Sequence, residues 1–216
     1  MASEKPGDTS TRREERPQDG FDRALGLPDD TFEQRRPQRG QITKREVRAF
    51  TLYSMGLRPG SVVWDIGAGT GSVAVEAALI ARRGSVYAVE REEDSLRLLR
   101  RNVARWGPGN VNVVPGEAPG VLEGLATPDS VFVGGSGGRL AAILSAVAAR
   151  LHPQGRIVVN MAVLERTQEA YHQLKGLGFA TELTMVSSAR GKEMTDGTVR
   201  LDAMNPVFVV TAWRNE

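Results

Sequence analysis

A chain of 216 residues, 40% apolar and 25% charged, is long enough to bury one well-formed core and has the balance of an ordinary globular domain. No window approaches the roughly 18 uninterrupted apolar residues of a membrane span, and the first twenty residues lack the apolar segment of a secretory signal, so a cytoplasmic location is expected. The absence of cysteine excludes disulfides, thiolate metal sites and cysteine nucleophiles; with only His152 and His172 besides, no metal is expected. The formal charge of +2 and an isoelectric point near 9.2 suit nucleic acid or a carboxylate-rich substrate equally, so charge alone does not choose.

Residues 1–20 carry almost no large apolar side chain and read as a disordered polar tail. From 21 to 60 an arm and a helix are expected, the arm carrying Leu25, Leu27 and Phe32 amid polar sequence and the basic residues Arg35, Arg36 and Arg39, which read as a solvated face. Thr43 followed three positions later by Glu46 has the spacing of a capping box, opening a helix to Met55 with Val47, Phe50, Leu52 and Met55 as its apolar stripe. Residues 61–216 form the main domain. Val62–Ile66 reads as a buried strand running into a glycine-rich loop, and residues 72–82 as the helix that follows.

The alternation then repeats. Strands are expected at Val86–Glu90, Val111–Val114, Val131–Val133 and Arg156–Asn160, and helices at Glu92–Trp106, Gly120–Leu125, Leu140–Leu151 and Leu164–Leu177. Two closing strands, Phe179–Val186 and Val207–Ala212, have no helix between them, only a polar connection over residues 187–205. The expected fold is therefore α/β: a mostly parallel seven-stranded sheet with an antiparallel last strand and helices on both faces.

In such a sheet ligands bind beyond the carboxyl ends of the strands. The first of these ends carries DIGAGTGS, residues 65–72, whose glycines allow a tight turn and close backbone approach at a helix N-terminus. The second carries Glu90, placed to accept hydrogen bonds from ribose hydroxyls; the third carries Gly116, Glu117 and Ala118, and the fourth the run Gly134 to Gly138. Gly67, Ala68, Gly69, Thr70 and Gly71 have GxGxG spacing, and Ser72 stands where a dinucleotide fingerprint wants glycine or alanine. Asp65 would sit awkwardly beside a pyrophosphate but suits a ligand with an ammonium group. With Glu90, these features favour S-adenosylmethionine over a dinucleotide, and no phosphate-binding GxxxxGK[ST] loop is present.

On these residues the chain resembles the class I Rossmann-like methyltransferases. More narrowly it resembles the CbiT family of cobalamin biosynthesis, which methylates carbon 15 of cobalt-precorrin-6B and decarboxylates the adjacent acetate. The narrower likeness rests on QITKREVRA (41–49), DIGAGTGS, VFVGGSGG (131–138), RIVVNMAVLE (156–165) and NPVFVV (205–210), and spans the chain from about residue 21. It implies that Thr43 and the loop Gly67–Gly71 contact the cofactor, Glu90 the ribose and Ala118 the adenine region, with Asp65 and Gly134 in the same binding set. A tetrapyrrole rich in carboxylates is the implied substrate, for which Arg139, Asn160, Arg190 and Lys192 are orienting candidates. The resemblance also implies a homotetramer and functional pairing with a separate carbon-5 methyltransferase.

Two other readings compete. A ring-nitrogen RNA methyltransferase would share the architecture, but the basic residues lack interleaved aromatics, and GGSGG stands where exocyclic-amine methylases carry (D/N)PP(Y/F). No nucleic-acid or membrane partner is therefore expected. An NAD(P)-dependent oxidoreductase is the second rival, disfavoured by Ser72 and Asp65.

Overall fold

The computed structural model describes residues 25–34 and 42–214. The proposed tail and the cluster Arg35, Arg36 and Arg39 lie outside the described residues.

Helix α1 (Arg45–Met55) stops at Gly56, whose left-handed backbone (φ 59°) lets its amide reach back to the Tyr53 carbonyl. Strand β1 (Val62–Ile66) follows, then α2 (Ser72–Ile80), β2 (Ser85–Glu90), α3 (Glu93–Trp106) and β3 (Val111–Pro115). A 3-10 turn (Gly120–Gly124) leads to β4 (Ser130–Val133), α4 (Leu140–Arg150), β5 (Arg156–Met161) and α5 (Leu164–Gly176). Strands β6 (Phe179–Val186), β7 (Ala189–Glu193), β8 (Val199–Ala203) and β9 (Val207–Arg214) complete the order.

Seven strands make one sheet in the order β3-β2-β1-β4-β5-β9-β6. The first five are parallel, because a helix, or between β3 and β4 the 3-10 turn and its flanking loops, returns the chain from each strand to the next. No helix separates β6 from β9, and β9 enters antiparallel between β5 and β6, with Ile157 opposite Ala212 and Thr181 opposite the same residue. The sheet agrees with the sequence expectation. The polar connection over residues 187–205, to which no strand was assigned, folds as a two-stranded antiparallel hairpin, β7 with β8, outside the main sheet.

Alternate residues of each strand face opposite layers. On one face Trp64, Ile66, Val131 and Val133 pack on Leu140, Ile143 and Leu144 of α4 and Leu174 of α5. On the other Val63, Val86, Ala88 and Phe132 pack on Leu52 of α1, Val73 and Ala77 of α2 and Leu99 of α3. Both cores exclude solvent, and no described helix is long and apolar enough to cross a membrane.

The capping box is not formed. The α1 cap residue is Lys44, with no side-chain hydrogen bond to the helix end. Glu46 turns instead toward Arg190 on β7, whose Nη2 donates to it at 2.6 Å, because a guanidinium offers a carboxylate a stronger, charged partner than a backbone amide.

Candidate functional site

Because β3, β2, β1, β4 and β5 run parallel, their carboxyl ends and the loops that follow emerge along one edge of the sheet. There a cleft is lined by Ile66, Gly67, Val89, Glu90, Arg91, Gly116, Glu117, Ala118, Gly135, Ser136, Gly137 and Ile143. It joins the loops after β1, β2, β3 and β4.

The loop after β1 is held from both sides. The amides of Gly67 and Ala68 donate to the Val89 carbonyl at 2.9 and 3.0 Å. Gly67 has φ 74°, and a Cβ there would lie 2.5 Å from the Gly135 carbonyl oxygen, so the loops after β1 and β4 meet backbone to backbone. Only glycine permits both the angle and the approach. The Thr70 carbonyl accepts from Asn102 of α3 at 2.9 Å, fixing the loop to that helix.

Glu90 pins this loop from the end of β2. Its Oε2 accepts from the Gly69 amide at 2.9 Å, and its Oε1 from the amides of Arg91 and Glu92 at 2.8 and 2.9 Å. A phosphate loop keeps its amides free for the anion. Here a carboxylate holds the Gly69 amide, and a second carboxylate, Asp65, stands just before the turn. The site therefore repels a pyrophosphate and favours cationic and hydroxyl groups.

Asp65 is 1% exposed, and neither carboxylate oxygen has a hydrogen-bond partner of good geometry. Burial pushes its pKa up to about 7; the nearby Ala74 amide in the first turn of α2 offsets this in part, and the charge of Glu90 adds to it. The Thr70 hydroxyl is likewise buried and unpaired. Such orphaned groups are costly unless a ligand completes them. An α-ammonium group would complete Asp65, so the residues present fit the cofactor read from the sequence.

Gly67, Glu90 and Ala118 are thus walls of one cleft, Ala118 being 6% exposed. Asp65, Ala68, Gly69, Thr70 and Gly71 build the strand end and loop behind it, and Gly134 follows β4, its amide donating to the Ile66 carbonyl. Thr43, Asn160, Arg190 and Lys192 are not among the cleft walls. Asn160 donates to the Thr51 hydroxyl at 2.8 Å and leaves its own buried Oδ1 unpaired. The Thr43 carbonyl accepts from Arg48 at 2.7 Å. Lys192 is exposed on β7.

Arg190 is committed to Glu46 and to Asp29, which lies in the arm and accepts from the same Nη2 at 2.7 Å. Glu46 is in consequence held well below the usual carboxylate range, at about 2, chiefly by its hydrogen bond from Arg190. Asp29 also accepts from the fully buried Arg48, whose Nε donates to Glu76 of α2 at 3.0 Å. One ionic network therefore joins the arm, α1, α2 and the β7–β8 hairpin, a task for Arg190 that spacing alone did not reveal.

Two cleft residues escaped the sequence reading as functional groups. Arg91 and Glu117 pair at 2.6 Å, and Arg139 reaches the other oxygen of Glu117 at 3.2 Å. The available signal was a charged residue at each strand's carboxyl end.

A model of the precorrin methyltransferase domain matches residues 34–216. A probable cobalt-precorrin-6B C(15)-methyltransferase (decarboxylating) of Pyrobaculum calidifontis is 43% identical over 190 residues, 87% of this chain and 95% of that protein. The cobalt-precorrin-6B C(15)-methyltransferase (decarboxylating) of Salmonella typhimurium is 39% identical over 176 residues, 81% and 90% of the two chains. Among solved structures, a precorrin-6Y C5,15-methyltransferase from Geobacter metallireducens superposes with a TM-score of 0.84 at 38% identity, covering 89% of this chain and all of that one.

Proposed function

Because the chain belongs to the precorrin methyltransferase family, we propose that it methylates carbon 15 of cobalt-precorrin-6B, or of a precorrin-6Y type substrate, with decarboxylation of the neighbouring acetate, using S-adenosylmethionine. The observation that carries the cofactor reading is the buried, unpaired carboxylate of Asp65 beside a glycine loop that Glu90 pins.

When bound, S-adenosylmethionine supplies a methyl group activated by a sulfonium. Asp65 would hold its α-ammonium group, and the turn from Gly67 to Gly71, with Ala68, Gly69 and Thr70, would let it lie against bare backbone. Glu90, which already accepts from three backbone amides, would have about one acceptor site left for a ribose hydroxyl, Ala118 would border the adenine, and Gly134 would belong to the same binding set. Thr43, at the arm's junction with α1 and outside the cleft walls, would join this set as the family resemblance implies.

Methyl transfer is an in-line displacement, so the protein has to align the reacting atoms and exclude water; no nucleophilic side chain is needed. The nucleophile is a ring carbon of the tetrapyrrole. Arg139, Asn160 and Lys192 orient its carboxylates and carbonyls, and Arg190 acts by holding the β7–β8 hairpin against α1. Incubation with cobalt-precorrin-6B and S-adenosylmethionine tests the reading: the product mass should show a methyl gained and carbon dioxide lost. An unchanged substrate mass with folded protein overturns it.

The same reading includes a homotetramer and pairing with a separate carbon-5 methyltransferase. Val199 and Leu201 on β8 are 68% and 70% exposed, and Leu183 and Met185 on β6 are also exposed, apolar side chains that self-association would cover. Light scattering at low concentration checks the assembly.

A further inference from the structure

Gly67, Gly69 and Gly71 all take left-handed backbone, with φ of 74°, 55° and 80°. A loop so rich in glycine gives up much freedom when it is ordered, so each tie from outside removes part of that cost from ligand binding. One tie comes from α3. Asn102, 1% exposed, donates through Nδ2 to the Thr70 carbonyl at 2.9 Å and to the Glu33 carbonyl of the arm at 3.1 Å, and its Oδ1 accepts from the Glu33 amide at 2.8 Å.

A primary amide has two N–H hydrogens and one acceptor oxygen, and here all are engaged. Turning the amide over would set its oxygen against two carbonyls and its NH2 against an N–H. The arm thus fixes which way the amide faces, and with it the donor that reaches Thr70.

The face of α3 that carries Asn102 serves loop and arm together. Three residues before it, Leu99 lies under Gly71, where any Cβ would collide with Leu99 Cδ1. Four residues after it, Trp106 donates from Nε1 to the Thr31 carbonyl of the arm at 3.2 Å. Residues three and four apart share a helix face, so Leu99, Asn102 and Trp106 form one stripe running from the loop to the arm. Phe32, 2% exposed, anchors the arm beside this stripe by packing with Ile42, Val75 and Trp106.

We propose that Asn102 is a positioning residue for the cofactor loop, and that through it docking of the arm and binding of the cofactor assist one another. This rests on the reading of the loop as the S-adenosylmethionine site. Asn102 is not among the cleft walls, so its effect passes through Thr70. With the arm in place, Nδ2 is aimed at the Thr70 carbonyl and the loop is held. With the arm loosened, the amide is free to turn and the loop loses that tie. Linkage makes the effect reciprocal: a cofactor that holds the loop also steadies the arm through the same side chain.

The test uses the full chain and two variants. Trp106→Phe keeps an aromatic ring in the apolar seat and removes only the hydrogen bond to the arm, whereas Asn102→Ala removes the ties to arm and loop together. In calorimetric titration with S-adenosylmethionine, Asn102→Ala should raise Kd roughly tenfold, the scale of a lost buried hydrogen bond, and Trp106→Phe about threefold. Saturating S-adenosylmethionine should slow hydrogen exchange of residues 27–34 in the wild type and leave it unchanged in Asn102→Ala. A merely structural asparagine would lower the melting temperature without moving the Kd of the folded protein. An unchanged Kd in both folded variants overturns the proposal. A loss confined to Asn102→Ala keeps the positioning of Thr70 and overturns the coupling to the arm. If the wild type does not bind S-adenosylmethionine, the cofactor reading falls and the ligand-free proteins decide. Faster hydrogen exchange over residues 67–71 in Trp106→Phe then upholds the tie between arm and loop, and unchanged exchange overturns it.

Discussion

The Glu90 carboxylate accepts a hydrogen bond from the Gly69 amide at 2.9 Å, so the end of β2 fixes the glycine loop of β1 before any ligand arrives. Glu90 is thus a loop anchor and, on the proposed reading, also a ribose acceptor, and the two tasks are separable by substitution. Glu90→Ala loses both and should weaken cofactor binding by about 1 to 3 kcal/mol, the scale of charge-assisted hydrogen bonds. Glu90→Gln keeps acceptor capacity for Gly69 and should lose less. Calorimetric titration of both variants with S-adenosylmethionine checks the order; equal affinity in wild type and Glu90→Ala would remove the residue from the site.

Asp65 gives the protein a pH dependence of definite sign. With a folded pKa near 7 against an ordinary value of 3.8, it is protonated in the fold where it is ionised in the unfolded chain. Its contribution to stability is fully present below the unfolded value and is lost as pH rises through about 7. The ligand-free wild type should therefore lose stability relative to Asp65→Asn as pH rises from the ordinary value of 3.8 to about 7 and hold level above that, measured by thermal melting of the two side by side. Cofactor binding should run oppositely, because an ammonium group requires the ionised form: wild-type affinity should fall below about pH 7.

Gly67 admits no substitution. Alanine there would face a φ of 74° and a carbonyl oxygen 2.5 Å from its Cβ, in the backbone of the neighbouring loop. Gly67→Ala should cost at least about 2 kcal/mol of stability and reduce cofactor affinity together with it. Chemical denaturation and calorimetric titration give the two numbers. Gly69→Arg, in a turn whose amide Glu90 holds, should abolish cofactor binding while the domain stays folded, checked by calorimetric titration and circular dichroism.

Arg48 is buried with Asp29 and Glu76 as its ionic partners. Arg48→Met strands the buried Glu76 and leaves Asp29 to Arg190 alone, and should destabilise the protein by about 3 to 5 kcal/mol. Equilibrium unfolding in urea measures this, and a loss below 1 kcal/mol would show that the network relaxes into water.

Arg190→Gln removes the ties to Glu46 and Asp29 that hold β7. Limited proteolysis should then cut within residues 187–205 faster than in the wild type, while the main sheet remains resistant. Unchanged cleavage would mean that the β7–β8 pairing alone secures the hairpin.

The sheet was legible in the sequence because its signals are local. Short apolar runs such as Val62–Ile66 and Val131–Val133, each followed by a helix, leave few alternatives to a parallel order. Ser72 and Asp65 likewise spoke against a dinucleotide without any coordinates. The hairpin β7–β8 was hidden because its strands, Ala189–Glu193 and Val199–Ala203, lie off the main core and are mostly exposed, so they carry no strong burial pattern. The capping box failed for a related reason: Glu46 had a local partner in the sequence, but its charge found Arg190, 144 residues away.

What the sequence determined by itself was the succession of main-sheet strands and their helices, the glycine loop and the acidic residues beside it, since periodicity and backbone permissiveness are properties of neighbouring residues. Only the tertiary structure decided that Asp65 is buried without a partner, that Glu90 holds Gly69, and that Arg91, Glu117 and Arg139 meet across the crevice. Those facts depend on which loops the parallel sheet sets side by side, and long flexible charged side chains choose their partners by distance in space.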